Sequence, residues 1–236
     1  MLRFILLITT LGFAISIQAA QGREITGPAA VVDGDTLQIG NRQVRLLGID
    51  AFEGAQELPL TTGGTDFLGR GAAMMLRSLI TTNDVTCKLS ALSDGRGLPL
   101  ATCYSNDVDL AREMIANGIA LVAQTHKSPY ASIQRMARQS KRGFWRDEVE
   151  TPWEFRDRRV KEAMRLSPNR CTFKGLILDG RKTLIAPWSP WYREAEVKQE
   201  RGDLWFCAEK QAVAKGWYEP TWLIQSVVSG VYNPSN

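Results

Sequence analysis

The chain of 236 residues contains a single histidine, His126, and only four cysteines. One histidine excludes a mechanism that needs two, such as catalysis at a histidine-rich zinc site. Four cysteines are far too few for a miniprotein built on disulfides. The formal net charge of +4 is mild and does not by itself indicate nucleic-acid binding. The composition, with 44% hydrophobic and 23% charged residues, is that of a globular protein of one or two domains.

No apolar run approaches the length of a membrane span except at the N-terminus. There Arg3 precedes an uncharged run over residues 4–17, and Ala19-Ala20 supplies small residues for cleavage. The run is too short to span a bilayer comfortably, so it predicts a cleaved signal peptide over residues 1–20, with an uncleaved anchor as the alternative. We therefore expect a periplasmic or secreted protein that is not stably inserted in a membrane.

An oxidising compartment favours disulfides. The cysteines form two separated pairs, Cys87 with Cys103 and Cys171 with Cys207. Four cysteines allow three connectivities, and the sequence does not decide among them, although neighbour pairing matches the division of the chain given below. A four-cysteine zinc site is the alternative, but none of the spacings resembles a CxxC knuckle.

Apolar periodicity and turn residues give the order of elements. They predict a strand meander over residues 28–50, a loop over 53–65, a helix over 66–80 and strands at 85–89 and 98–104. Helices follow over 107–117, 128–142 and 151–166, the last one opened by a capping box at Thr151 and Glu154. We predict a domain over 21–150, a helical linker over 151–167, a disulfide-stapled α+β module over 168–220 and a tail over 221–236.

Two later parts of the sequence have features that also occur in nucleic-acid-binding proteins. Residues 135–170 hold eleven basic and six acidic residues, which we interpret as a solvated helical face, with a phosphate-binding track as the alternative. The C-terminal aromatic residues are interpreted as the core and rim of their module, with stacking on bases as the alternative. They are Trp188, Trp191, Tyr192, Trp205 and Trp217.

The residues with the clearest chemistry lie in the meander. The turn Asp33-Gly34-Asp35-Thr36 precedes a strand that reads Arg-Leu-Leu-Gly-Ile-Asp-Ala-Phe-Glu over residues 45–53. Buried acids and a buried arginine are unfavourable unless they are paired or bound to a metal. Arg45 and Asp50 have opposite strand parity, so they face one site only if the strand bends, which Gly48 permits.

These two motifs, in this order and at this separation, resemble the staphylococcal nuclease family. The resemblance extends over residues 23–145. It implies an α+β fold, with a five-stranded OB-type barrel and packed helices, and Ca²⁺-dependent cleavage of phosphodiesters in DNA and RNA. The residues 202–217 are similar to a small Cys-paired domain appended to bacterial homologues of this nuclease.

The resemblance also implies roles for individual residues. Asp35 and Asp50 are expected as Ca²⁺ ligands, with the backbone carbonyl of Ala51 as a third. Arg45 is expected to bind phosphate, and Glu53 to act as the general base. Such oxygen ligands suit Ca²⁺, and arginine forks match a phosphate.

Two features depart from the family pattern. Phe52 stands where the family has proline, which removes no ligand. The second catalytic arginine is ambiguous: matching Gly95-Arg96 to the family's Gly-Arg requires two extra residues before Cys103, whereas an ungapped match places Leu98 there. We assign Arg96 and keep Leu98 as the alternative.

The sequence thus predicts an exported nuclease that acts on single-stranded or frayed nucleic acid, since a barrel mouth of this type accommodates unpaired bases. The alternative is a degenerate OB module that binds nucleic acid or an envelope partner without cutting it. An envelope structural protein that binds through its C-terminal module is a third hypothesis.

Overall fold

The structure is a computed structural model that describes residues 23–59, 64–81, 84–125, 127–167 and 169–219. The predicted signal peptide, the predicted tail, Pro168 at the predicted boundary and His126 lie outside the described residues. Among the described residues, no helix combines the length and apolarity needed to cross a membrane.

The elements, in chain order, are β1 (Glu24–Val31), β2 (Thr36–Ile39), β3 (Arg42–Leu46), β4 (Ile49–Ala51), β5 (Glu57–Pro59), β6 (Thr65–Phe67), α1 (Leu68–Leu79), β7 (Asp84–Ser93), β8 (Pro99–Ser105), β9 (Val108–Asp109), α2 (Leu110–Ala116), β10 (Ala120–Val122), α3 (Ala131–Gln139), α4 (Pro152–Leu166), β11 (Phe173–Leu178), β12 (Arg181–Ile185), β13 (Leu204–Phe206) and α5 (Glu209–Val213). Short 3-10 helices occupy Gly143–Arg146 and Gln199–Arg201.

Five of the strands close into a barrel. The hydrogen-bonded order is β3-β2-β1-β7-β8, and a parallel pairing of β3 with β8 joins the two edges. The predicted meander supplies β1, β2 and β3. The predicted α+β barrel with packed helices is confirmed. Its apolar interior, which includes Leu37, Val44 and Leu46, is covered by α1 and α2 through residues such as Leu76 and Met114.

Three predicted helix starts are wrong for local reasons. The helix predicted from residue 107 begins at Leu110, because Val108–Asp109 forms β9 and Asp109 Oδ1 caps the helix by accepting from the Arg112 amide at 3.1 Å. The expected loop over residues 53–65 contains β5, which pairs with β6, so α1 begins two residues later than the apolar pattern suggested. The third predicted helix begins at Ala131 rather than near Ser128, because Ser128 Oγ accepts a hydrogen bond of 3.2 Å from the Tyr130 amide and forms a turn before α3.

The capping box at the start of α4 is confirmed. Thr151 Oγ1 accepts from the Glu154 amide while the Glu154 carboxylate accepts from the Thr151 amide, and Pro152 opens the helix. One face of α4 is apolar, and it packs Phe155 in a cluster with aromatic residues of β11 and the chain after β12, including Phe173, Trp188 and Trp217.

Residues 169–219, which we call the C-terminal module, contain a three-stranded antiparallel sheet in the order β12-β11-β13, followed by α5. The β11–β12 hairpin turns at Asp179 and Gly180, both with positive φ, as the Asp-Gly pair predicted. Trp188, Tyr192 and Trp217 are buried, in agreement with the core interpretation.

Both neighbouring cysteine pairs are disulfide-bonded. Cys87 and Cys103 lie opposite each other on β7 and β8, and Cys171 joins Cys207 across the C-terminal module. No cysteine is free, so the alternative of a four-cysteine zinc site is excluded.

Candidate active site

The side chain of Arg45 connects two carboxylates at the mouth of the barrel. Its Nη2 nitrogen donates to Asp35 Oδ2 and to Asp50 Oδ1, at 2.6 Å in each case. Asp35 comes from the β1–β2 turn, where Asp33 Oδ1 accepts from the Asp35 amide at 2.9 Å and fixes the turn. The chain bends after β3 at Gly48, which has φ of +84°, so Asp50 on β4 turns back towards Arg45. The structure therefore brings Arg45 and Asp50 to one site as the bend hypothesis requires.

Asp35 is held as an ionised group. The side chain is buried, and Oδ2 also accepts from the Ala51 amide at 2.9 Å. Burial alone would raise the pKa of Asp35, but Arg45 and Arg96 outweigh it and hold this pKa below its usual range. In contrast, burial and the negative charge of the neighbouring Asp35 carboxylate raise the pKa of Asp33 to about 7.

Glu53 is buried beside Asp50, after the end of β4. Loss of water around its carboxyl raises its pKa, although the positive charge of Arg156 opposes that rise. The loop is fixed by Gln56, which accepts from the Glu53 amide at 3.2 Å and donates to the Glu150 carbonyl at 2.5 Å. A carboxylate with a raised pKa is suited to accept a proton near neutral pH.

Arg156 on α4 is a site residue that the sequence analysis missed. Its guanidinium binds both oxygens of Asp50, with Nη1–Oδ1 at 2.9 Å and Nη2–Oδ2 at 2.6 Å, and Nη1 also donates to Glu53 Oε1 at 2.5 Å. The only sequence signal was the basic excess over residues 135–170, which we interpreted as a solvated face. That interpretation holds for Arg158, whose side chain is 48% exposed, but not for Arg156, at 21%.

Arg96 lies in the turn between β7 and β8. Asp94 forms this turn: its Oδ1 accepts from the amides of Arg96 and Leu98, at 2.9 and 2.8 Å. Asp94 Oδ2 accepts from Arg96 Nε at 2.9 Å and lies 3.6 Å from Arg45 Nη1, so the two arginines share one carboxylate. Leu98 is a buried apolar residue, 5% exposed.

The extra residues of this turn are accommodated within the β7–β8 pairing. Its register shifts between Leu89 and Ser93, while Cys87 and Cys103 stay directly opposite. A bulge of this kind lengthens one strand without changing the pairing beyond it. The gapped match of the sequence, which selects Arg96, is therefore compatible with the hairpin.

The charged groups surround one cavity of about 260 Å³. Asp35 and Glu53 contact its lining through Arg45 and Arg156. The lining comes from the barrel, from α4 and from the C-terminal module, and it includes Arg45, Asp50, Asp94, Arg96, Trp153, Arg156, Trp188 and Glu209.

The carboxylate and carbonyl oxygens of the site suit a hard cation such as Ca²⁺, but the set of ligands is small. The described residues contain no cluster of three or more histidine, cysteine, aspartate or glutamate side chains placed to hold a metal ion. The expected set has only two carboxylates and the Ala51 carbonyl. A single nitrogen, Arg45 Nη2, lies 2.6 Å from an oxygen of Asp35 and of Asp50, which is close to the roughly 2.3–2.6 Å of a Ca²⁺–oxygen bond. The two oxygens thus flank a position of the right size, now taken by a guanidinium.

A barrel of this topology with paired acids and arginines at its mouth defines a class of proteins related to staphylococcal nuclease. The model of the family described as "Staphylococcal nuclease homologue" matches residues 43–147, a range that includes Arg45, Asp50, Glu53 and Arg96 but begins after Asp35.

Three curated proteins are similar to the chain. "Succinoglycan biosynthesis protein ExoI" of Rhizobium meliloti (strain 1021) is 33% identical over 135 residues, which cover 56% of this chain and 70% of that protein. Proteins named "Uncharacterized endonuclease" from Escherichia coli O157:H7 and from Escherichia coli are each 30% identical over 137 residues, 55% of this chain and 82% of theirs. This chain belongs to the staphylococcal nuclease homologue family.

Proposed function

We propose that this protein is a metal-dependent nuclease that hydrolyses phosphodiester bonds in DNA, with RNA as a second substrate. The observation that carries the proposal is the convergence of Arg45, Arg96, Asp50 and the adjoining Glu53 on one cavity of a staphylococcal nuclease homologue. The endonuclease names of two relatives support the same activity.

Each group has a chemical task in this proposal. Ca²⁺ bound at Asp35, Asp50 and the Ala51 carbonyl would neutralise charge on a non-bridging phosphate oxygen. Arg45 and Arg96 bind the phosphate and stabilise the charge that grows on it as the new P–O bond forms and the scissile P–O bond breaks. Glu53 accepts the proton of the attacking water, and its raised pKa keeps proton transfer favourable near neutral pH.

The substrate and the compartment are also part of the proposal. A cavity of about 260 Å³ at the barrel mouth suits single-stranded or frayed nucleic acid better than an intact duplex. Two disulfides support a periplasmic or secreted location. An intact mass that lacks residues 1–20 and carries both disulfides would support export.

The test is a cleavage assay on purified mature protein with labelled single-stranded DNA, double-stranded DNA and RNA, in Ca²⁺ and in EDTA. Glu53→Gln is expected to lower the rate by about 10²–10⁴-fold, the usual contribution of a general base. Glu57→Gln, which changes an exposed carboxylate on β5, is the matched control and should leave the rate unchanged.

A rate close to wild type in Glu53→Gln would remove Glu53 from the role of base. One observation favours the second candidate, a module that binds nucleic acid without cutting it: Arg45 and Arg156 already pair with the site carboxylates. Binding of single-stranded DNA without cleavage in any divalent metal would establish this second candidate.

A further inference from the structure

Three charged groups at the cavity, Asp50, Glu53 and Arg96, are paired with residues that lie outside the barrel. Arg156, on α4, binds Asp50 and Glu53. Glu209, the first residue of α5, places its Oε1 atom 3.4 Å from Arg96 Nη1. These two residues are separated from their barrel partners by more than 100 positions in the sequence.

Arg156 is positively charged, like the proposed metal ion, and Glu209 is negatively charged, like the substrate phosphate. The Arg156 guanidinium holds Asp50 oxygens at 2.6 and 2.9 Å, and these are oxygens that the proposed Ca²⁺ ion would take. The Glu209 carboxylate lies against the guanidinium of Arg96, where a phosphate oxygen would bind.

Both residues are held in place by the surrounding structure. The Glu209 side chain is only 9% exposed. The C-terminal module is hydrogen-bonded to the barrel domain at two further places: Ala55, close to Glu53, donates its amide to the Trp188 carbonyl at 3.2 Å, and Gln43 Nε2 donates to the Glu219 carbonyl at 2.6 Å. One turn along α4, Arg159 Nε donates to the Pro187 carbonyl at 2.9 Å, which fastens the helix to the module.

We propose that α4 and the C-terminal module close the active site with internal counter-ions. Arg156 competes with the metal ion for Asp50 and also pairs with the base Glu53, and Glu209 competes with the substrate phosphate for Arg96. This inference rests on the proposed nuclease function and adds its regulation: besides Arg45, which lies between Asp35 and Asp50, these two ion pairs lower the affinity of the site for metal and substrate until they open. A ligand that binds only the open state has a lower apparent affinity, because part of its binding free energy is used to open the ion pairs.

The first test measures Ca²⁺ binding by isothermal titration calorimetry on the mature full-length protein without nucleic acid. Arg156→Gln is expected to lower the Kd for Ca²⁺ by about 10-fold or more, because it removes the competing cation. Arg158→Gln is the matched control: it removes the same charge from the same helix, but Arg158 pairs with Glu150 and Glu162 on the surface, so the Kd should change less than about twofold.

The outcomes separate this inference from the proposed function. If wild type binds Ca²⁺ and cleaves DNA but Arg156→Gln binds Ca²⁺ no more tightly than Arg158→Gln, the nuclease stands and the competition is refuted. Weaker Ca²⁺ binding by Arg156→Gln also refutes it, since Arg156 would then position Asp50 for the metal. If neither wild type nor the variants bind Ca²⁺, both proposals fail for this ion.

The second test concerns Glu209 and uses a short single-stranded DNA oligonucleotide in EDTA, with binding measured by fluorescence anisotropy. Glu209→Gln is expected to bind the oligonucleotide about 5-fold or more tightly than wild type, because Arg96 loses its internal anion. Glu200→Gln, an exposed carboxylate of the same module, controls for the change in net charge. Equal affinities in these two variants, with unchanged near-UV circular dichroism, would overturn the role of Glu209.

Discussion

The helix α1 approaches the loop of the proposed general base so closely that only glycine fits at position 69. A Cβ atom on Gly69 would collide with the carbonyl group of Glu53 and would lie 2.6 Å from the backbone nitrogen of Gly54, where ordinary contacts are 3.4–4 Å. These are backbone atoms, which cannot turn aside as a flexible side chain does. Gly69→Ala must therefore move either the helix or the loop that carries Glu53.

A matched control lies two residues further along the same helix. A Cβ atom on Gly71 would find Phe144 Cζ at 3.7 Å as its nearest neighbour, which is ordinary contact. Gly71→Ala should raise the free energy of unfolding by about 0.5–1 kcal/mol, because alanine favours a helix over glycine by that amount. Gly69→Ala receives the same gain, but overpacking typically costs about 1–3 kcal/mol, so we expect a net loss of up to about 2.5 kcal/mol.

Urea unfolding of the two variants measures the difference, and the cleavage assay measures the displacement of Glu53. A shift of about 1 Å in a catalytic group can cost about 10²-fold in rate, so Gly69→Ala should lose at least about 10-fold in activity while Gly71→Ala retains it. If Gly69→Ala is as stable and as active as Gly71→Ala, the contact between α1 and the Glu53 loop does not position the base.

Three further predictions concern other parts of the molecule. Arg96→Ala should lower kcat/KM by about 30- to 1000-fold, or about 2–4 kcal/mol, whereas Leu98→Arg should only destabilise the barrel; a gain of activity in Leu98→Arg with an unaffected Arg96→Ala would contradict the assignment. Replacing Cys171 and Cys207 together by serine should lower the free energy of unfolding by roughly 4 kcal/mol, because the disulfide closes a loop with a sequence separation of 36; a loss below about 1 kcal/mol in urea would contradict this. Burial lowers the pKa of Lys174 in the folded protein below its usual 10.5. Just below pH 10.5 the unfolded chain therefore binds more protons than the folded chain, so the free energy of unfolding rises with pH there. Lys174→Met should abolish this slope in urea unfolding measured at a series of pH values, and an unchanged slope would assign it to another group.

The parts of the fold that were predictable depend on contacts close in sequence. The capping box at Thr151 and the turn at Asp179-Gly180 are specified by residues within three positions of each other, and both occur as predicted. The β5–β6 hairpin was missed because its three-residue strands are too short for an alternating pattern. Closure of the barrel through β3 and β8 joins Arg45 to Leu100, and no local signal specifies such a pairing. Only the resemblance to a family predicted it.

The same distinction applies to the site. Asp35, Arg45 and Asp50 lie within sixteen residues, and their motif indicated that they meet. Arg156 and Glu209 reach the site from separate elements, 103 and 113 positions from Glu53 and Arg96. A basic residue on an amphipathic helix is most often solvated, and the direction in which Arg156 points is decided by the packing of Phe155 against the C-terminal module.

The energetics of buried charge indicate whether the ion pairs of the cavity stabilise the fold or can be replaced by ligands. Burying two charges loses hydration that their attraction only partly returns, so replacing a buried ion pair by an apolar pair of the same volume is often neutral or stabilising. Stability alone therefore does not account for three arginines and their carboxylates around one cavity. Removing one partner alone leaves an unpaired buried charge, so an exchange requires a ligand of equal or greater charge in its place. A divalent cation at Asp50 and a phosphodiester at Arg96 would offer that charge, and both competing residues, Arg156 and Glu209, belong to helices outside the strands that hold the site.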